Sequence, residues 1–125
     1  MPIGKTKARR ILIVEDEMLL AINLEDMLHE LGHDVVAIAA RIPQALSLAA
    51  NSDIDLAILD LNLSGWFSFP VADVLRNRSV PFIFSTGYGS HGLPENYRGE
   101  HVLAKPYGIR ELEIAINGVV SVPAA

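Results

Sequence analysis

The sequence has no cysteine among its 125 residues. That excludes a disulfide scaffold, a thiolate metal site and a cysteine nucleophile, and it suits a reducing compartment. Basic residues are scarce too: ten Lys and Arg stand against fifteen Asp and Glu, a net charge of −5. That sign is wrong for a surface binding duplex nucleic acid through its phosphates, so no direct nucleic-acid partner is expected. No uncharged apolar run reaches the ~18 residues of a helical membrane span. The N-terminus also lacks the order of basic, long apolar and small residues that marks a signal peptide. The expectation is a soluble, unexported, cytoplasmic chain with no membrane partner. What is present is one domain's worth of core-forming material. Half of the residues are apolar, and a chain of this length buries roughly two-thirds of its surface on folding. A single domain over 1–125 is expected, with its core at about 10–120 and flexible tails at both ends.

Periodicity gives the organisation. Ile11-Leu12-Ile13-Val14 is a short continuous apolar run, the mark of a strand covered on both faces, as in parallel sheets. From Met18 to Leu31, Leu20, Leu24, Met27, Leu28 and Leu31 fall on one helical stripe, and Gly32 follows as a C′ residue. The alternation repeats with a strand over Val35 to Ala39, a helix over Ile42 to Ala50 with Pro43 in its first turn, and a strand over Leu56 to Leu59. A short helix around Val71 to Arg76 and a strand from Pro81 to Ser85 come next. Gly87 to Glu100 is rich in Gly and Pro, so a fourth helix there should be short or mobile. Val102 to Ala104 makes the last strand, and Ile109, Leu112, Ile116 and Val119 give the last helix its stripe. Five βα units predict an α/β fold: one doubly wound, five-stranded parallel sheet with helices on both faces.

Ligands of such sheets bind beyond the carboxyl ends of the strands. Those positions hold Glu15-Asp16-Glu17, Asp60, Ser85-Thr86-Gly87 and Lys105-Pro106. Singly, each has an ordinary explanation: a solvated acidic loop, a cap, a strand end, a surface lysine. Their joint placement at the ends of four strands argues instead for one rim of carboxylates, a hydroxyl and an ammonium. Crowded carboxylates repel, and a divalent cation relieves them; hard oxygen donors suit Mg2+ with several retained waters.

This pattern resembles the receiver domain of bacterial two-component response regulators, from about Arg10 to Val120. The resemblance rests on Glu15-Asp16 after the first strand, Asp60 with Gly65 five residues on, Thr86, and Lys105-Pro106. It implies the flavodoxin-like strand order 2-1-3-4-5. It also implies that Asp60 is the phosphoacceptor, and that Asp16, Asp60 and the Asn62 carbonyl hold Mg2+, or Mn2+ in its place, with Glu15 acting mainly through water. Lys105 and the Thr86 hydroxyl would meet phosphoryl oxygens. The partners implied are a sensor histidine kinase or histidine phosphotransfer protein as donor and a downstream protein as target. The chain would catalyse its own Mg2+-dependent phosphorylation and dephosphorylation without being a conventional enzyme. Pro81 to Gly89 further resembles the receiver subgroup named for its Phe-Ala-Thr-Gly-X-Tyr signature, many of whose members stand alone. Here Ser85 replaces Ala, and Tyr88 directly follows Gly87. Val102 stands where the family usually carries an aromatic switch residue, so switching is expected to involve Thr86, Gly87, Tyr88 and an ordering of Gly87 to Glu100.

The alternative is a degenerate receiver, an interaction module that keeps the fold and acts independently of phosphate. A flavodoxin-type carrier would need Ser, Thr or Gly around a phosphate where Glu15-Asp16-Glu17 stand. A haloacid-dehalogenase-type enzyme would need Asp-x-Asp after the first strand. Two motif matches are rejected. Gly87 to Gly92 fits the dinucleotide fingerprint but runs into Leu93-Pro94 rather than a helix. Asp60 to Gly65 begins like a Ca2+ loop whose twelfth position is Val71. His29 and His33 are expected to be solvated. Trp66, Phe67 and Phe69 are expected to pack the short third helix, with an exposed contact patch as the alternative.

Overall fold

The computed structural model describes residues 8–87 and 93–120, so the expected tails and Tyr88 lie outside the described residues. The elements run β1 (Arg10–Val14), α1 (Met18–Glu30), β2 (Asp34–Ala39), α2 (Ile42–Asn51), β3 (Leu56–Asp60), β4 (Asn62–Leu63), β5 (Trp66–Phe67) and α3 (Phe69–Asn77). They continue with β6 (Phe82–Thr86), a 3-10 turn (Glu95–Tyr97), β7 (His101–Ala104) and α4 (Ile109–Val120). Five parallel strands order as β2-β1-β3-β6-β7, which is the expected 2-1-3-4-5 when only that sheet is counted.

Alternation along the central strands divides the core between two faces. Ile11 and Ile13 of β1 pack with Ala21, Leu24 and Leu28 of α1 and Leu112, Ile116 and Val119 of α4. Leu12 and Val14 face the other way, onto Ala45 and Ala49 of α2 and Val71, Ala72 and Leu75 of α3. Both faces are covered, which is why these strands read as unbroken apolar runs. Helix α1 ends where Gly32 takes φ +91°. There the His33 amide donates to the Leu28 carbonyl at 2.9 Å and the Gly32 amide to the His29 carbonyl at 3.0 Å, a Schellman closure that a residue with a Cβ would strain.

Three details differ from the expectations. The stripe of α1 is centred on Ala21, Leu24 and Leu28, and Leu20 is 39% exposed, because the small Ala21 lets the helix sit close to the sheet and turns Leu20 outward. His33 is buried rather than solvated; its Nδ1 accepts the Arg9 amide at 3.0 Å, so the ring closes the helix end by satisfying a main-chain donor. Trp66 and Phe67 are 72% and 56% exposed, since they form an antiparallel hairpin, β4–β5, outside the main sheet. Of the expected aromatic trio only Phe69 packs inward, stacked on Tyr97 with centroids 4.6 Å apart.

Among the described residues between β6 and β7, the only helical element is the 3-10 turn. The residues from 93 to 100 are nevertheless well anchored. Leu93 and Tyr97 are both 4% exposed. Arg76 of α3 lies 4.5 Å over the Tyr97 ring and bonds the Glu100 carboxylate at 2.6 Å and the Asn96 carbonyl at 2.7 Å. Packing and side-chain pairing do here what helix propensity cannot.

Candidate phosphoacceptor site

The register of the sheet assembles the site. Asp60, the last residue of β3, sits beside Ser85 of β6, and Thr86 sits beside Ala104 of β7. Glu15 follows β1, which flanks β3 on its other side, and Lys105 follows β7. Four neighbouring strands thus end on one rim, where Glu15, Asp16, Asp60 and Lys105 come together. Lys105 Nζ lies 3.0 Å from Glu15 Oε1 and 3.3 Å from Asp60 Oδ2; the lysine's length lets it reach past β6 to the carboxylates of β1 and β3. The Lys105–Pro106 peptide is cis.

Each carboxylate has its own holding contact. Glu15 is buried, and its Oε2 also accepts the Glu17 amide at 3.1 Å. Asp16 accepts two hydrogen bonds on Oδ2, from the Ser64 amide at 2.9 Å and the Ser64 hydroxyl at 2.7 Å. Asp60 is 9% exposed. Ligand-type oxygens of Glu15, Asp16 and Asp60 all lie within 4.8 Å of one another. Asn62 is exposed in β4, and its Oδ1 accepts the Gly65 amide at 2.9 Å. Thr86 is buried and Gly87 exposed. Val102 is half-buried beside Phe84 and packs against the α2–α3 side of the core.

The electrostatics follow from this crowding. Burial first, and the Glu15 charge second, push the Asp60 carboxyl from 3.8 up to about 6, with Lys105 pulling the other way. For Lys105, burial favours loss of the proton. The Glu15 hydrogen bond and the charges of Asp60 and Glu15 outweigh it and hold the ammonium above its ordinary range. Tyr107, two residues on, is pushed to about 12 by burial and then by the charges of Glu15 and Asp60.

Sequence reasoning missed Ser64 and Tyr107. For Ser64 the signal was available: a Ser-Gly pair flanked by Leu63 and Trp66 is a two-residue turn signature. No local pattern marks Tyr107; it belongs here through the path of the chain after β7. Two clefts flank the rim. One of about 300 Å3 runs between Glu15, Leu20, Met27, Lys105 and Tyr107. Another of about 750 Å3 lies beside Asp16, Arg41, Ile42, Ser64, Trp66 and Phe67.

The doubly wound parallel sheet carries an acidic cluster and one lysine at its carboxyl edge, and known proteins resemble the chain that builds it. The response regulator receiver domain family matches residues 11–117, and the chain belongs to that family. It is 32% identical over 117 residues to the transcriptional regulatory protein PdtaR of Mycobacterium tuberculosis, a match covering 90% of this chain and 57% of PdtaR. The chain therefore spans little more than half of that relative. Among solved structures, SdrG of Sphingomonas melonis Fr1 superposes with a TM-score of 0.79 at 39% identity, covering 87% of this chain and 93% of SdrG. The receiver domain of the sensor histidine kinase PA1611 of Pseudomonas aeruginosa, with magnesium coordinated in its active-site cleft, gives 0.76 at 25% identity, covering 93% and 100%. Among the described residues no helix is long and apolar enough to cross a membrane.

Proposed function

We propose that this chain is a phosphorylation-dependent receiver in which Asp60 accepts a phosphoryl group from a phosphohistidine on a sensor histidine kinase or phosphotransfer protein. The observation that carries the reading is the convergence of Asp60 with Glu15, Asp16 and Lys105 at the edge of the sheet. An ionised Asp60 oxygen attacks phosphorus, the phosphorus–nitrogen bond of the donor breaks, and the imidazole leaves. Such transfer needs alignment and charge neutralisation more than a strong nucleophile. Lys105 already reaches Asp60 and serves as the cation for one phosphoryl oxygen, and the Thr86 hydroxyl serves another. Three clustered hard-oxygen donors fit Mg2+, with Mn2+ as the alternative. Asp16, Asp60 and the Asn62 carbonyl would hold the ion and Glu15 would act through water; when bound, the ion supplies charge neutralisation to the transferred group.

The reading treats residues 1–125 as one receiver domain, places it in the cytoplasm with its donor, and gives it a downstream protein target rather than nucleic acid or membrane. Its switch runs through Thr86 and Gly87. The Tyr88 contribution and the middle of the Gly87 to Glu100 segment lie outside the described residues. Leu93 and Tyr97 are buried, so the described end of that segment is already anchored. A second reading, a degenerate receiver acting without phosphate, is favoured by one feature. Val102, packed beside Phe84, offers no ring to rotate when Thr86 moves.

Intact-mass measurement after incubation with Mg2+ and acetyl phosphate separates the two. One phosphoryl addition that disappears in Asp60→Asn and in Mg2+-free buffer supports the receiver reading. No addition in the parent, or an addition retained by Asp60→Asn, rejects it.

A further inference from the structure

Ser64 stands where a glycine would be more comfortable. It takes φ +51°, followed by Gly65 at +89°, the positive pair that a two-residue hairpin turn demands. An L-residue in that region costs ~1 kcal/mol or more relative to glycine. Packing offers no compensation, since Ser64 is exposed. What serine adds is a second donor to one atom. Its amide and its hydroxyl both reach Asp16 Oδ2, at 2.9 and 2.7 Å, across 48 positions of sequence. With Oδ2 held, Oδ1 is the Asp16 oxygen with no protein donor among the described residues.

We propose that Ser64 is a positioning residue that sets divalent-metal affinity by clasping Asp16. The proposal rests on the metal reading above. An unclasped Asp16, on a partly exposed loop beside two like charges, would sample rotamers that carry its free oxygen away from Glu15 and Asp60; the clasp removes that freedom before an ion arrives. Groups that hold metal ligands in place commonly account for ~10-fold or more in affinity. The amide remains when the hydroxyl is removed, so the loss here should be about three- to tenfold. The coupling is reciprocal: an ion that favours the clasped carboxylate steadies the β4–β5 turn by the same factor.

Two variants separate positioning from mere folding. Ser64→Gly removes the hydroxyl and relieves the strained φ, and Ser64→Ala removes the hydroxyl and keeps the strain. Mg2+ is titrated into each protein while the backbone amides are followed by NMR, and thermal stability is measured without metal. The proposal expects both variants to bind Mg2+ about three- to tenfold more weakly than the parent, although Ser64→Gly melts at or above the parent temperature and Ser64→Ala below Ser64→Gly. Affinity would then track the hydroxyl while stability tracks the backbone. Unchanged or tighter binding by Ser64→Gly, or weakening confined to one variant, overturns the proposal and leaves the metal reading standing. A parent whose amides around Asp16 and Asp60 do not respond to millimolar Mg2+ overturns both.

Discussion

A buried acid held well above its ordinary range makes the domain less stable than its fold would allow. The Asp60 carboxyl titrates at 3.8 in an unstructured chain and at about 6 in the folded one. A group raised by folding contributes its full stability below the unfolded value and loses it as pH rises through the folded one. Above about pH 6 the folded chain therefore carries a charge that burial and Glu15 oppose. At ~1.4 kcal/mol for each tenfold change in proton affinity, the ceiling is ~3 kcal/mol. The group keeps part of its contact with water, so screening reduces this to ~1–2 kcal/mol. Asp60→Asn keeps the size and an oxygen for Lys105 while removing the charge. In urea unfolding with EDTA present, the variant should exceed the parent by ~1–2 kcal/mol at pH 8, and the gap should close between pH 6 and 4. Mg2+ at ten times its dissociation constant should return ~1.4 kcal/mol to the parent and nothing to the variant. A variant less stable than the parent at pH 8, or a gap that ignores pH, would refute the electrostatic account.

His33 has the opposite sign. Burial and then the Arg9 charge depress it below 6.5 against a smaller pull from Asp34, so stability present above pH 6.5 is lost as pH falls below it. Unfolding curves recorded in the Asp60→Asn background should show a decline on acidification that His33→Gln flattens. Tyr97→Phe keeps the stacked ring but removes the hydroxyl bonded to Asp73, so chemical denaturation should register a loss of ~0.5–1.5 kcal/mol. Gly65→Ala meets no neighbour but inherits φ +89°, and a thermal melt should fall by the few degrees that ~1 kcal/mol of backbone strain entails.

The parts of this molecule legible in its sequence are those governed by short-range periodicity or by fixed positions relative to strand ends. The three central strands, β1, β3 and β6, carry continuous apolar stretches because both faces are covered, and such stretches survive without tertiary information. Asp60 and Lys105 could be placed because a parallel sheet brings the residue after each strand to one edge, so identifying the strands identifies the rim. Where a residue's role depends on what the chain folds against, the sequence is silent. Leu20 and Ala21 are both acceptable on a helix stripe; only the closeness of α1 to the sheet decides that the smaller one goes inside. His33 looks solvated until Arg9, 24 residues earlier, brings it an amide. Tyr97 sits in a stretch poor in apolar residues, yet Arg76 and Phe69 of α3 cover it, so a segment of low helix propensity is anchored by pairing across the fold. The same distinction divides the acidic cluster. That Asp16 belongs to it follows from β1. That Asp16 is held there by a serine in a strained turn follows only from the hairpin β4–β5, a feature too short for periodicity and outside the sheet whose edge it serves.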